Sequence, residues 1–202
     1  MTSQREIWDT RYRARSVKDV PAEPPSEFAR RVGALLARAS DVLELGCGAG
    51  SDAAFFASLG HRVLATDFSH AIIEAAGQRF ADTEGLTFAV QDNTEPLPAP
   101  DSTFDLVYGR LALHYFNDAT TRRTFAEIAR VLRPDGLVTF MCKSIADRLY
   151  GKGEPAGTDM FHSQHLRHFF SEEYTRDLLA AQFEIESLDL REGDLYGERR
   201  PG

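Results

Sequence analysis

Apolar residues along the chain switch repeatedly between two spacings, and the switching predicts a strand–helix series over most of its length. Ile7, Trp8 and Tyr12 fall on one face of a short N-terminal helix. After Pro21, Pro24 and Pro25, Ser26 is placed to cap a second helix running toward Ala39. A short apolar strand, Asp41 to Leu45, stops abruptly at Gly46-Cys47-Gly48-Ala49-Gly50. A helix from about Ser51 to Leu59 follows, closed by Gly60. The alternation then repeats, with strands at His61 to Asp67, Leu86 to Val90 and Phe104 to Tyr108, and a helix from Ser69 to about Phe80. Pro96, Pro98 and Pro100 confine their stretch to a loop. Phe125, Ile128, Ala129 and Leu132 form the i, i+3, i+4, i+7 stripe of a buried helix face. Arg133-Pro134-Asp135-Gly136 predicts a turn and Leu137 to Met141 a fifth strand. Ser171 caps a helix reaching about Gln182, and Phe183 to Leu190 alternates as a sixth strand.

Strands separated by helices imply an α/β fold: one doubly wound, mainly parallel sheet with helices on both faces. In such sheets a ligand sits beyond the carboxyl ends of the strands, where the strand order reverses. That directs attention to loops 46–50, 67–69, 91–94, 109–115 and 142–170.

Composition narrows the partners. Hydrophobic residues at 43% and charged residues at 27% are the proportions of a folded domain. The net charge of −8, with only Lys18, Lys143 and Lys152 as lysines, opposes binding to a nucleic-acid backbone. No apolar run approaches a membrane span, and the first residues lack the apolar stretch of a secretory signal. Cys47 and Cys142 are too few for a disulfide framework. A cytoplasmic protein is expected, with the oligomeric state open.

The glycine-rich segment is the strongest local signal. Closely spaced glycines let the backbone turn sharply and approach a ligand where a Cβ would clash. The loop opens onto a helix N-terminus, whose free N–H groups favour a carboxylate or phosphate. A plain strand-to-helix turn would not need three alternate glycines. A dinucleotide fingerprint is the rival: it fails from Gly46, because Ser51 stands where glycine is required, and fits from Gly48 through Gly50 and Ala53 only two residues past the strand end. A P-loop is excluded, since no Gly-Lys-Ser/Thr follows.

Glu44-Leu45-Gly46-Cys47-Gly48-Ala49-Gly50 resembles the first motif of the class I S-adenosylmethionine (SAM)-dependent methyltransferases. The resemblance continues in order through Asp67, Gln91-Asp92-Asn93, Phe104-Asp105-Leu106-Val107 and Leu132-Arg133-Pro134-Asp135-Gly136. Trp8-Asp9-Thr10-Arg11-Tyr12 and Gly50-Ser51-Asp52-Ala53 are similar to the tellurite-resistance and thiopurine-methyltransferase-like branch. The resemblance implies a Rossmann-like domain over 1–202: a helical cap at 1–40, a cofactor-binding core at 41–143 and an acceptor-site and C-terminal region at 144–202. It implies SAM as cofactor, S-adenosylhomocysteine (SAH) as product, and methyl transfer to O, N or S of a small acceptor. A SAM-binding regulatory module and an NAD(P)-dependent oxidoreductase are the alternatives.

The cofactor-site residues implied are Trp8, Tyr12, Gly46, Cys47, Gly48, Gly50, Asp52, Asp67, Phe68, Ile72, Asp92, Asn93 and Arg110. Asp67 is to accept bonds from the ribose hydroxyls and Asp92 one from the adenine amino group; each could instead be an ordinary turn acid. Phe68 and Ile72 suit packing against adenine or simply the helix start. Cys47 reads as a small filler, since nothing nearby supplies a base. His114, in Arg110-Leu111-Ala112-Leu113-His114-Tyr115, is the candidate general base, or else a bystander packed beside the cofactor. His162, His165 and His168 invite a metal reading, but on a helix the outer pair diverges by about 120°, so no metal is expected. The glycine-rich stretch from Ile145 to His168 is a candidate lid over the acceptor. No Asn/Asp-Pro-Pro-Tyr/Phe follows strand four and no Pro-Cys pair is present, which argues against nucleic-acid bases as acceptors. Beyond Arg191, Pro201 blocks a ladder bond, so the antiparallel end strand of such sheets is expected to be shortened or replaced.

Overall fold

A computed structural model describes Ile7, Trp8, Thr10 and residues 23–191. Its centre is a five-stranded sheet, every pairing parallel. The strands are β1 (Asp41–Leu45), β2 (Arg62–Asp67), β3 (Leu86–Val90), β4 (Phe104–Arg110) and β5 (Leu132–Met141), in the spatial order β3-β2-β1-β4-β5. The strand order reverses between β1 and β4, so their carboxyl ends border the crevice where such sheets bind ligands.

Alternation along the strands divides the core in two. Val42, Val63, Ala65, Leu106 and Tyr108 face helices α1 (Glu27–Gly33), α2 (Ser51–Ser58) and α3 (His70–Arg79), meeting Ala29, Val32, Phe56, Ile72 and Ile73. Leu43, Leu45 and Val107 face α4 (Asp118–Val131) and α5 (Glu172–Leu179), meeting Phe125, Ile128, Leu178 and Leu179. Helices on both faces explain why β1, after Asp41 at its edge, reads as an apolar run broken only by Glu44. Caps hold the helix starts: the side chains of Ser26, Asn117 and Ser171 accept from Ala29 N–H, Thr120 N–H and Tyr174 N–H.

Four sequence expectations change. Helix α1 ends at Gly33 rather than near Ala39, where Phe55 and Leu59 press so close that a Cβ on Gly33 would lie 2.9 Å from Leu59 Cδ1. Strand β5 begins at Leu132, and the predicted turn survives as a break in register, Phe104 pairing with Leu132 but Leu106 with Leu137, with Asp135 at φ +62°. Residues 183–190 form no strand; together with β5 they line a groove of about 2320 Å3. The antiparallel element is instead a separate sheet of β6 (Glu154–Gly157), β7 (Met160–His162) and β8 (Leu166–His168), in the region anticipated as a lid. This small sheet meets the main fold through the Ser144–Phe170 bridge and through β8, which packs on the 3-10 turn Leu113–Tyr115.

Candidate active site

Beyond β1 the backbone enters the left-handed region three times, with φ of +72° at Gly46, +53° at Gly48 and +81° at Gly50. A Cβ at Gly46 would lie 2.5 Å from Ala112 Cβ, and one at Gly50 would lie 2.8 Å from the Phe88 ring. The loop is thus pressed against Ala112 and Phe88, and side chains are excluded at Gly46 and Gly50. Asp67, at the end of β2 and 4% exposed, ties this cradle to the next helix. Gly48 N–H donates to Asp67 Oδ2 and Ser69 N–H to Oδ1, each at 3.1 Å, while Gln91 N–H donates to the Asp67 carbonyl at 3.0 Å.

Glu44 was not among the expected site residues. It is 3% exposed in β1, its Oε2 has no hydrogen-bond partner, and burial together with the neighbouring charges of Asp52 and Asp67 holds its carboxyl well above the usual range. Its signal was an acid set between Leu43 and Leu45 in an apolar strand. Cys47 is also buried, and burial followed by Glu44 and Asp67 pushes its thiol well up, which suits a filler rather than a nucleophile.

Asp52, in the first turn of α2, is 6% exposed and already engaged. Ser26 N–H, Ser26 Oγ and Tyr108 Oη donate to it at 2.7, 2.8 and 2.8 Å, and Arg110 Nε at 3.2 Å. The structure therefore joins Asp52 and Arg110 to each other and to the start of α1. At the end of β3, Asp92 Oδ1 accepts from Thr94 N–H at 2.9 Å and Thr94 Oγ at 2.7 Å, closing a turn. The Asn93 carbonyl accepts from Thr124 Oγ1 at 3.0 Å, whereas its Oδ1 is buried without a partner, as is the Ser69 hydroxyl. Phe68 is half-buried, and Ile72 belongs to the core beneath the loop. Tyr12 lies outside the described residues.

The loop beyond β4 carries His114 in its 3-10 turn, 0% exposed and with neither ring nitrogen partnered. Burial, with Lys143 and Arg167 nearby, lowers its pKa to about 3. A ring neutral across the physiological range can donate or accept a hydrogen bond but holds a proton poorly. Tyr115 packs on His114 at 4.4 Å between ring centroids, and Trp8 stacks on His165 at 5.0 Å and meets Tyr115 edge-on at 5.6 Å. The three histidines of the metal reading sit on and between strands β7 and β8, not on a helix, and His168 turns toward Phe170 and Tyr174. Among the described residues no group of three or more His, Cys, Asp or Glu side chains is placed to hold a metal ion.

The donors and acceptors left open suit SAM. The buried Oε2 of Glu44, which lacks a partner, would complement a ligand bearing ammonium and sulfonium charges, and the Asp67 carboxylate at the end of β2 is of the type that holds ribose hydroxyls. Comparisons with known proteins agree. Residues 42–136 match the family described as a methyltransferase domain. Over 146 residues the chain is 31% identical to a probable SAM-dependent methyltransferase of Mycobacterium tuberculosis (strain H37Rv), covering 72% of this chain and 49% of that protein. Over 97 residues it is 36% identical to the uncharacterized methyltransferase YcgJ of Bacillus subtilis, covering 47% of this chain and 37% of that one. Among solved structures, a protein studied for the conversion of a disulfide bond into a thioacetal group during echinomycin biosynthesis superposes with a TM-score of 0.71 at 25% identity, over 93% of this chain and 82% of its own. The chain spans about half or less of the length of the two curated relatives. Residues 42–136 thus match a methyltransferase domain, and the fold around them is the Rossmann-like methyltransferase fold.

Proposed function

We propose that this protein transfers a methyl group from SAM to an oxygen, nitrogen or sulfur of a small-molecule acceptor, in the crevice beyond β1, β4 and β5. The observation that carries the reading is the junction of Asp67 with the three-glycine cradle, through Gly48 N–H, directly beside the buried turn that holds His114. SAM supplies a methyl group already activated by its sulfonium. The chain's own task is then to hold the acceptor in line and exclude water. Gly46, Cys47, Gly48 and Gly50 form the cradle; Asp67 takes the ribose; Ile72, Phe68, Asp92 and Asn93 border the adenine; Glu44 faces the positive charges. Arg110, fixed on Asp52, keeps the cradle and the loop beyond β4 in register. His114, neutral, orients the acceptor rather than deprotonating it. Trp8, Tyr115 and His165 close one wall.

The net charge of −8 favours a small molecule over nucleic acid, and no helix among the described residues is long and apolar enough to cross a membrane. A cytoplasmic setting fits the two unpaired cysteines. The phrases Trp8-Asp9-Thr10-Arg11-Tyr12 and Gly50-Ser51-Asp52-Ala53 support the tellurite-resistance and thiopurine-methyltransferase-like branch. Calorimetry with SAM, SAH and NAD(P), followed by turnover with a metabolite panel, tests the reading. SAM and SAH are expected to bind and NAD(P) not to. Binding of SAM without turnover of any acceptor would favour a regulatory module.

A further inference from the structure

Around His114 the charges do not cancel. Four titratable groups bear on its ring from the neighbouring elements: Lys143 and Asp147 beyond β5, His165 ahead of β8, and Arg167 within β8. Lys143 Nζ and Asp147 Oδ2 pair at 2.7 Å and offset each other. Arg167 has no such carboxylate. It forms no ion pair with any described residue, its Nη1 donates to Ser163 Oγ at 2.9 Å, and its Nε is buried without a partner. His114, in the 3-10 turn on which β8 packs, is fully buried, with both ring nitrogens unpartnered. A half-buried guanidinium and an imidazole left open together are a costly arrangement unless an acceptor of hydrogen bonds arrives with a ligand.

We propose that Arg167 and His114 bind a carboxylate carried by the acceptor, so that the methylated substrate is a small organic acid. The inference rests on the reading that the crevice beyond β4 receives the acceptor. The guanidinium fork matches the two oxygens of a carboxylate, and a neutral imidazole adds one N–H. The remaining imidazole nitrogen is free to accept from a hydroxyl or amine of the same molecule. The cofactor's own carboxylate is the other source of such an anion. Its expected place is the set of free N–H groups opening α2, whereas Arg167 stands on β8, which packs on the turn carrying His114.

Trp8 is the single tryptophan and stacks on His165, so its fluorescence reports occupancy of this wall. The full chain, saturated with SAH, is titrated with acetate, hexanoate, benzoate, 4-hydroxybenzoate and succinate, each compared with its amide, by fluorescence and calorimetry. At least one acid is expected to bind about tenfold or more tightly than its amide, the loss typical of a charge-assisted bond. Arg167→Met is expected to erase that preference while SAH affinity stays within about twofold, and Arg167→Lys to restore part of it. Equal or absent binding of every acid and amide overturns the proposal, as does an acid preference that survives in Arg167→Met. Loss of SAH affinity in Arg167→Met, with the acid preference intact, assigns the guanidinium to the cofactor and also overturns it. If wild type fails to bind SAH at all, the cofactor reading falls separately, and the acid–amide comparison without SAH still decides this one.

Discussion

Gly46 and Ala112 face each other without room for a second side chain, since a Cβ on the glycine would stand 2.5 Å from that of the alanine. The contact sets the spacing between the loops beyond β1 and β4, and therefore between the cofactor cradle and the turn that bears His114. Gly46→Ala should destabilise the protein by about 2–4 kcal/mol, combining left-handed backbone strain with overpacking. Adding Ala112→Gly should recover the packing part but not the strain, because φ at Gly46 remains +72°. Denaturant midpoints of the four proteins in the cycle measure this. A Gly46→Ala protein as stable as wild type would refute the close approach.

Asp52→Ala should act mainly on stability. It removes the charged acceptor from Arg110, from the Ser26 cap of α1 and from the buried Tyr108 hydroxyl, which keeps only Ser26 Oγ at 3.3 Å, a loss of about 3–5 kcal/mol for breaking a buried charged network. Thermal melting checks it, and a shift of only a degree or two would mean that α1 is held by its apolar face alone.

Asp67→Ala should weaken SAM and SAH to a similar extent, because both carry the same ribose. Charged hydrogen bonds of this kind contribute about 1.5–3 kcal/mol each, or roughly a 10- to 150-fold loss of affinity. The change also frees Gly48 N–H and Ser69 N–H, so melting should fall alongside. Calorimetric affinities within twofold of wild type for both ligands would place the ribose elsewhere.

With its pKa at about 3, His114 should leave the methyl-transfer step flat between pH 5.5 and 8. His114→Gln should lower single-turnover transfer by less than the 10²–10⁴-fold expected for loss of a base. A rate limb near pH 6.5 that vanishes in the variant would restore the base role. Stability carries the complementary signature. The folded value lies below the ordinary 6.5, so this contribution is complete above pH 6.5 and drains away as pH falls toward 3, by at most about 1.4 kcal/mol per pH unit. Urea titrations at pH 7 and 5 should show a smaller drop for His114→Gln than for wild type.

Glu44 titrates in the opposite sense. Its folded pKa is raised, so its contribution is complete below the ordinary 4.5 and is lost as pH rises through the folded value. Glu44→Gln should therefore gain stability relative to wild type between pH 5 and pH 8 in the absence of ligand, yet bind SAM more weakly. A variant destabilised equally at both pH values would point to a lost contact rather than a buried charge.

Much of the parallel sheet was legible because strands covered on both faces must be apolar throughout: Val42-Leu43 and Leu106-Val107 announce themselves. The glycine cradle was legible for the complementary reason, that three left-handed residues leave glycine as the economical choice. What was hidden depends on partners distant in sequence. Nothing local marks Asp52 as the acceptor for Ser26, 26 residues earlier, and for Tyr108, 56 later. Strands β7 and β8, three residues each, are too short for an alternation to register. Residues 183–190 alternate well but find no ladder along β5, since alternation specifies a face and not a neighbour. His114 was found by type and place, but its neutrality follows from burial among residues of other elements.

The small sheet β6–β7–β8 is tied to the main one by little backbone: Phe170 N–H to the Lys143 carbonyl at 2.8 Å and Ile145 N–H to the Phe170 carbonyl at 3.3 Å. Its own ladders are internal to it. Isotope exchange should accordingly sort the amides into two cooperative populations, β1, β2 and β4 exchanging only with global unfolding, β7 and β8 through a smaller opening. That opening breaks none of the bonds linking Gly48, Asp67 and Ser69, so on the proposed reading the aromatic wall beside His114 would open without disturbing the cradle. An acceptor-side ligand and a cradle-side ligand would then leave in kinetically separate events, each with a clock of its own.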